Sequence, residues 1–187
     1  MGAMRSFATD VMQNFILGAD AARFGLVQFQ SSGALLVPLT TDEQVIQNGI
    51  ASLEAGGSTC LECGFAKASE AFSIATPRAG AAKVVLLLTD GNPNVPVLYP
   101  LTRATETADS LKASGVTIFA WGFGSVDENV LSDVATPPAA EHVFFSADFS
   151  GISALVAKVG TCNIHIDRRT FEIHEVDVIC VYTFGWN

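Results

Sequence analysis

The sequence has few charged residues, few cysteines and no apolar run of membrane-spanning length. Of its 187 residues only 16% are charged and 49% are hydrophobic, a balance that excludes an intrinsically disordered chain. The longest apolar run, around Val84–Leu88, has the length of a strand, so we expect no insertion into a membrane. Four cysteines are too few for a disulfide scaffold and do not fix the cellular compartment.

Basic residues and catalytic motifs are also scarce. The 10 Lys and Arg stand against 19 Asp and Glu, and the formal net charge of -9 makes nucleic acid and anionic membranes poor partners. No Gly-x-Ser-x-Gly elbow occurs, and Gly122-Phe-Gly124 is not a dinucleotide-binding loop because Asp127 stands where the third glycine belongs. We therefore predict that the protein is not an enzyme and does not bind nucleic acid.

Apolar residues recur instead at helical and strand spacing in turn, as in a single domain of this length. The short turn at Ser31–Gly33 predicts an antiparallel hairpin, and helices between the other strands favour parallel pairing. The predicted fold class is α/β, a doubly wound Rossmann-like three-layer sandwich with a mostly parallel central sheet and one antiparallel edge strand. The predicted helices are 7–16, 42–53, 60–74, 102–113, 128–135 and 152–159, and the predicted strands are 23–30, 34–39, 83–89, 116–121 and 142–145.

The composition changes after Cys162, which divides the chain into a domain at 1–162 and a tail at 163–187. Alternating apolar and polar residues within 163–174 are typical of a small hairpin or an extended linker. The segment at 176–183 is rich in β-branched and apolar residues, which predicts a strand buried on both faces. Such a strand is able to complete the central sheet.

Four stretches, taken in this order and spacing, resemble the von Willebrand factor type A family over roughly Phe7–Cys162. The first resembles the family's second strand, the next its threonine-bearing loop and helix, and the third the strand that ends in a Thr-Asp-Gly turn. The fourth resembles the penultimate strand, the helix after it and the last strand. The resemblance implies a ligand site at the carboxyl ends of the strands. The four stretches are ARFGLVQFQ, GGSTCLECGFAKA, VVLLLTDGNPN and WGFGSVDENVLSDVATPPAAEHVFF.

The resemblance also implies a metal-ion-dependent adhesion site (MIDAS), in which one threonine, one aspartate and an Asp-x-Ser-x-Ser loop hold the cation. Thr59 matches the family's threonine, and Asp90 matches its aspartate. Mg²⁺ is the implied cofactor, with Mn²⁺ or Ca²⁺ as substitutes, because these cations prefer carboxylate, hydroxyl and water oxygens. An acidic group of a partner protein would take the remaining coordination position.

The Asp-x-Ser-x-Ser loop is missing, because the chain begins at the helix that follows the family's first, central strand. The C-terminal segment offers a replacement, with Thr183 at the aspartate position and Gly185 and Asn187 at the two serine positions. The tail strand either fills its own sheet, as in a circular permutation, or belongs to a further repeat and swaps between molecules. In both cases the site is degraded, since Thr183 is uncharged and Gly185 has no side chain, so Mg²⁺ binding would be weak.

The loop after Asp90 supplies candidate ligand-binding residues. Asn92, Asn94 and Tyr99 are expected at the rim of the metal face. The apolar residues of the same loop, at 95–99, form either part of a partner-binding rim or a small satellite core under the loop. They are Val95, Val97, Leu98 and Tyr99.

The cysteines have several interpretations. Cys60 and Cys63 have the spacing of a zinc half-site, but no second pair of ligands has suitable spacing. Packing of both residues as small hydrophobic side chains on a helix is therefore favoured. Cys162 resembles the family's closing cysteine, and its partner is either Cys180 or an external thiol.

These observations favour an extracellular or cell-surface adhesion module that binds a protein or matrix ligand, with localisation implied by the resemblance because no secretory signal is present. The alternative is a structural or scaffolding domain without a functional metal site. Oligomers would form by swapping of the tail strand. A rise in stability on addition of a divalent cation would favour the adhesion module over the scaffolding domain, because a ligand that binds the native state stabilises that state.

Overall fold

A six-stranded sheet forms the centre of the computed structural model, which describes residues 2–95, 98–146 and 175–183. Helices cover both faces of this sheet. The elements are α1 (Gly2–Gln13), β1 (Ala22–Phe29), β2 (Gly33–Thr40), α2 (Glu43–Ala51), α3 (Leu61–Ile74), β3 (Ala82–Thr89), α4 (Pro100–Ala113), β4 (Val116–Phe123), α5 (Glu128–Val134), α6 (Ala139–His142), β5 (Val143–Ser146) and β6 (Val176–Tyr182).

The strand order is β2-β1-β6-β3-β4-β5, and β2 is the antiparallel edge strand. All other neighbouring strands pair in parallel. Parallel strands need crossover connections, and the helices after β2, β3 and β4 provide them. The structure confirms the predicted doubly wound α/β sandwich with one antiparallel edge.

The tail strand β6 lies at the centre of the sheet of its own chain. It pairs with β1 on one side, from Ala22 to Gln28, and with β3 on the other side, from Ala82 to Leu88. All seven of its residues are buried. The prediction of a C-terminal strand buried on both faces is therefore confirmed.

Two apolar clusters fill the spaces between the sheet and the helical layers. On one face, Phe7 of α1 and Ile46 of α2 pack on side chains such as Leu26 of β1. On the other face, the apolar sides of α3, α4 and α5 cover residues such as Leu87 of β3 and Val181 of β6. Among the described residues, no helix is long and apolar enough to cross a membrane.

Several predicted element boundaries and one predicted core residue are wrong. Helix α1 ends at Gln13 because the amides of Asn14 and Phe15 bond three residues back, which closes the last turn. The apolar spacing of the predicted helix at 42–53 places Val45, Ile46, Ile50 and Leu53 on its buried face. In the structure Val45 is 44% exposed, because Ile46, Gly49 and Ile50 form the buried face of α2. The predicted helix at 152–159 and the alternating segments within 163–174 lie outside the described residues.

A buried cluster of charges ties the start of β6 to its neighbours. The Asp177 carboxylate accepts hydrogen bonds from Arg23 Nε and Nη2 at 2.8 and 2.7 Å, and a further one from Arg78 Nη2. Arg78 also donates to the backbone carbonyls of Ala19, Ala21 and Val176. The cluster therefore holds β6 against β1 and against the segment that enters β3.

Candidate ligand site at the carboxyl ends of the strands

The carboxyl ends of β1, β6, β3 and β4 meet at one edge of the sheet because these strands are parallel and in register. The register aligns Tyr182, the last residue of β6, with Leu88 of β3. Asp90 follows β3 directly, and Thr183 follows β6 directly. The topology thus brings two of the three predicted cation ligands to neighbouring strand ends, which is where open α/β sheets bind ligands.

Thr59 is held against the turn that follows Asp90. Its amide donates to Asn94 Oδ1 at 2.6 Å, and the amide of Asn94 donates back to the Thr59 carbonyl at 3.2 Å. A Cβ atom at Gly91 would lie 2.9 Å from Thr59 Oγ1, so only glycine allows this close approach. The third predicted ligand therefore lies beside the Asp90 turn, with its side chain directed at that turn.

Hydrogen bonds between its own residues fix the turn at Asp90. The hydroxyl of Thr89 is fully buried, donates to the Gly91 carbonyl at 2.9 Å and accepts from the Gly91 amide at 3.3 Å. Asp90 itself is half-buried. The Thr-Asp-Gly sequence thus has a structural role for its first and third residues, and Asp90 lies between them in the turn.

Thr183 extends the sheet beyond β6. Its amide donates to the Leu88 carbonyl at 3.0 Å, and the residue is almost fully buried. The hydroxyl is therefore withdrawn from bulk solvent at the base of the strand ends. Gly185 and Asn187, the predicted counterparts of the two serines, lie outside the described residues.

Both rim asparagines make hydrogen bonds that organise loops. Asn92 Oδ1 accepts from the Asp127 amide at 2.8 Å, which connects the β3–α4 loop to the start of α5. Asn94 holds Thr59, as described above. Each asparagine is exposed overall, so both lie at the rim while fixing its shape.

The apolar part of the rim is exposed to solvent. Leu98 is 81% exposed and Tyr99 is 75% exposed, with a backbone φ of 56° at Tyr99. This exposure contradicts the satellite-core interpretation for these two residues and agrees with the rim interpretation. Val95 is half-buried and lines a neighbouring groove, while Val97 lies outside the described residues.

The donor atoms at this edge match a hard divalent cation in kind but carry little charge. Thr59 and Thr183 supply hydroxyl oxygens and Asp90 supplies a carboxylate, all of which suit Mg²⁺. Asp90 is the single acidic residue of this set, and no group of three or more His, Cys, Asp or Glu that could hold a metal occurs in the described ranges. The residues therefore fit a divalent cation in the type of their donor atoms, with one carboxylate among them.

Cys60 and Cys63 form a disulfide, so their prediction as free, packed side chains was wrong. A zinc half-site is also excluded in this state, because thiolates and not disulfide sulfurs bind zinc. Cys180 is a free and fully buried thiol, and burial raises its pKa to about 12. Cys180 is therefore not paired with Cys162, which lies outside the described residues.

Comparison with protein families gives one matching model, described as von Willebrand factor type A domain, over residues 1–158. Matrilin-1 of Bos taurus is 32% identical over 192 residues, which cover 97% of this chain and 34% of the relative. Matrilin-2 of Mus musculus is 29% identical over 173 residues, which cover 87% of this chain and 17% of the relative. The chain thus spans about a third or less of the length of these relatives.

Solved structures give the same fold. The proximal thread matrix protein 1 from the mussel byssus is 26% identical to this chain, with a TM-score of 0.73 over 86% of this chain and 42% of that chain. Another structure of that protein has a zinc-occupied MIDAS motif, and it matches with 24% identity and a TM-score of 0.72 over the same shares. Metal binding at the MIDAS motif is thus a property of that neighbour.

Proposed function

Because the chain belongs to the von Willebrand factor type A family, we propose that it is a non-enzymatic adhesion module that binds a protein or matrix ligand. The observation that carries this proposal is the packing of Thr59 against the turn that follows Asp90, at the carboxyl ends of the parallel strands. The proposed ligand face contains these residues and the exposed rim formed by Leu98 and Tyr99. Large apolar side chains exposed beside a polar site are typical of protein-binding surfaces.

Thr59, Asp90 and Thr183 would hold a divalent cation, with Mg²⁺ first and Mn²⁺ or Ca²⁺ as substitutes. The cation would supply a coordination position for an acidic group of the partner. Asn94 positions Thr59 through the paired hydrogen bonds, so it belongs to the site without being a ligand. The zinc-occupied MIDAS motif of the mussel protein supports a divalent cation at this place in the fold.

The charge of the chain also favours a cation-dependent mode of binding. With a formal net charge of -9, the protein repels acidic partners and nucleic acid alike. A bound cation would locally reverse this repulsion and select a partner carboxylate at the ligand face. An extracellular or cell-surface location agrees with this proposal, because the Cys60–Cys63 disulfide persists in oxidising compartments.

The proposal divides the chain into the domain at 1–162 and the tail at 163–187. In this division, the tail completes the sheet through β6 and supplies Thr183 to the ligand face. If β6 pairs with a neighbouring molecule, the same site would form across two chains, because the strand brings Thr183 with it. A strand-swapped oligomer would therefore carry as many ligand faces as it has sheets.

The alternative function is that of a structural or scaffolding domain without a working metal site. The degraded ligand set favours it, because Asp90 is the single carboxylate among the three proposed ligands. The rim asparagines favour it as well, since Asn92 and Asn94 both accept hydrogen bonds from backbone amides of adjoining loops. In this function the loops of the ligand face would serve stability alone.

Addition of Mg²⁺ is expected to raise the midpoint of thermal unfolding of the chain. For a dissociation constant of about 1 mM, ~10 mM Mg²⁺ stabilises the native state by roughly 1.4 kcal/mol. In a domain of this size that corresponds to a rise of about 3–6 °C. Differential scanning calorimetry with and without the cation measures this shift, and Mn²⁺ provides a second series.

The matched variants are Asp90→Ala, which removes the carboxylate, and Asp133→Ala, which removes an exposed carboxylate of α5. The shift should vanish in the first and persist in the second. A shift of equal size in both variants would assign the effect to the acidic surface as a whole. No shift in the unaltered chain would reject the metal site and leave the scaffolding function.

A further inference from the structure

The Cys60–Cys63 disulfide lines an open groove with a volume of about 620 Å³. This volume is within the range of sites that hold small molecules or peptide segments. The disulfide begins helix α3, one residue after Thr59. The groove is lined by Ser31, Ser58, Cys60, Glu62, Cys63, Ala66, Val95 and Arg103.

The two sulfur-bearing residues differ in access. Cys60 is 4% exposed, and its amide is fixed by a 2.8 Å hydrogen bond to the Gln30 carbonyl. Cys63 is half-buried and lies on the first turn of α3, where the groove reaches it. An incoming thiolate would therefore meet the sulfur of Cys63 first. The rate of thiol–disulfide exchange depends on which of the two sulfurs is attacked.

The buried sulfur is held by the first turn of α3. Cys60 is the N-cap residue of α3, and its Sγ accepts a hydrogen bond from the Cys63 amide at 3.3 Å. The Cα atoms of the two cysteines are 5.2 Å apart, so Cys60 Sγ stays in place for a return attack on Cys63 after the disulfide opens.

The acidic side chain between the two cysteines is paired with an arginine. Glu62 lies between the two cysteines, and its carboxylate accepts hydrogen bonds from Arg103 Nε and Nη2 at 2.7 and 2.6 Å. The hydrogen bonds from Arg103 lower the pKa of Glu62, so this pair stays ionised and mutually compensated at neutral pH. Glu62 therefore adds little repulsion to an approaching thiolate or to a thiolate formed at Cys60.

We propose that the Cys60–Cys63 disulfide is a thiol–disulfide exchange site whose substrate is the thiolate of a small thiol or of a cysteine on a partner polypeptide. The incoming thiolate attacks Cys63 Sγ, a new S–S bond forms there, and the bond to Cys60 breaks. The electron pair remains on Cys60 Sγ as a thiolate. The number of disulfide bonds is unchanged, and return attack by Cys60 releases the substrate.

The test measures adduct formation on the folded chain, in a background with Cys162→Ser so that no adduct can form at position 162. The oxidised chain is incubated at pH 7.5 with reduced glutathione, or with a short peptide that contains one cysteine. It is then quenched with acid, alkylated and mapped by peptide mass spectrometry. The expected adduct is on Cys63, with the alkyl group on Cys60. Adducts with both probes assign the site to thiols in general, and an adduct with glutathione alone assigns it to small thiols.

Two trapping variants test the difference in access. With glutathione disulfide as the probe, Cys60→Ser leaves the thiol that lines the groove and should form a mixed disulfide at least about tenfold faster than Cys63→Ser, because Cys60 is only 4% exposed and thiol reactivity depends on access. Buried Cys180 is the internal reporter, since it is labelled only when the chain unfolds.

Equal rates in the two variants, or an adduct on Cys60, would overturn the proposal. An adduct that forms only together with labelling of Cys180 would also overturn it, because the disulfide would then be a structural link opened by unfolding. None of these readouts involves a cation, so the result is independent of the proposed adhesion function.

Discussion

Replacing Asp177 with alanine is expected to lower the free energy of unfolding by about 3–5 kcal/mol, which would remove much of the stability of a domain of this size. The Asp177 carboxylate bonds to Arg23 and Arg78, and all three side chains are largely buried, at 5%, 13% and 12% exposure. Without the carboxylate, the buried Arg23 guanidinium loses its hydrogen-bonded anion, and Arg78 keeps only the partly exposed Glu175 carboxylate at 3.8 Å. Urea unfolding at pH 7 measures the loss, and Asp133→Ala, at an exposed site, should change stability by less than about 0.5 kcal/mol.

The effect of Asp177→Ala should also depend on pH. Burial acts to raise the pKa of Asp177, but the hydrogen bonds from Arg23 and Arg78 outweigh it and hold the pKa below its ordinary value. A lowered pKa in the native state contributes stability that is complete above the unfolded pKa, about 3.9, and is lost as the pH falls through the native pKa. The difference between the two proteins should be constant from pH 7 to 5 and shrink below about pH 4. A loss below about 1 kcal/mol at pH 7, or the same loss at pH 3, would contradict the role given to this cluster.

Removal of β6 by ending the chain after residue 174 is expected to abolish cooperative unfolding. The strand buries Val176, Val178, Ile179 and Val181, which together contribute roughly 6–12 kcal/mol at about 1.5–3 kcal/mol per buried side chain. This is comparable to the whole stability of a typical domain, about 5–15 kcal/mol. Its loss would also leave the facing backbone groups of β1 and β3 unpaired in an apolar interior. Circular dichroism and urea unfolding report the result.

A synthetic peptide of residues 175–187 provides the control for this truncation. Added to the shortened chain, it should restore a cooperative transition, whereas the same peptide with Val178→Asp and Val181→Asp should not. A shortened chain with an unchanged midpoint would mean that β6 does not occupy the centre of the sheet. Light scattering on the full chain then separates a strand paired within its own molecule, which gives a monomer, from a swapped strand, which gives a dimer.

Most of the fold could be predicted from the sequence because each central strand is marked by its own residues. β3 is a run of apolar residues that fits burial on both faces, and β6 carries the same pattern in spite of its position in the tail. The hairpin at Ser31–Gly33 was indicated by the shortness of the turn alone. Boundaries were less predictable, since the end of α1 at Gln13 depends on hydrogen bonds and not on apolar spacing.

Long-range polar contacts had no sequence signal. Asp177 is 154 residues from Arg23 and 99 from Arg78, and the sequence does not show that these charges meet. Its place inside an apolar run was the one available hint, because a buried carboxylate requires a partner. That Asp177 has a partner in the interior was therefore predictable, but the identity of its partners, Arg23 and Arg78, was not.

The candidate site was predicted in part. The resemblance gave Thr59 and Asp90, and the structure brings them to one turn. The role of Asn94 as the partner of Thr59 was missed, because a loop asparagine is equally consistent with plain solvation. The Cys60–Cys63 disulfide was missed as well, since two cysteines three residues apart are compatible with zinc binding, packing or a disulfide.

The most direct test of the proposed ligand face is the effect of substoichiometric Mn²⁺ on the amide resonances of the ¹⁵N-labelled chain. Paramagnetic broadening should be strongest at Thr59, Asp90, Gly91 and Thr183, and absent from Arg23 and Val116 at the opposite end of the sheet. Asp90→Ala should remove the broadening. Broadening centred on another acidic surface, or no selective broadening at millimolar Mn²⁺, would contradict a cation site at the carboxyl ends of the strands.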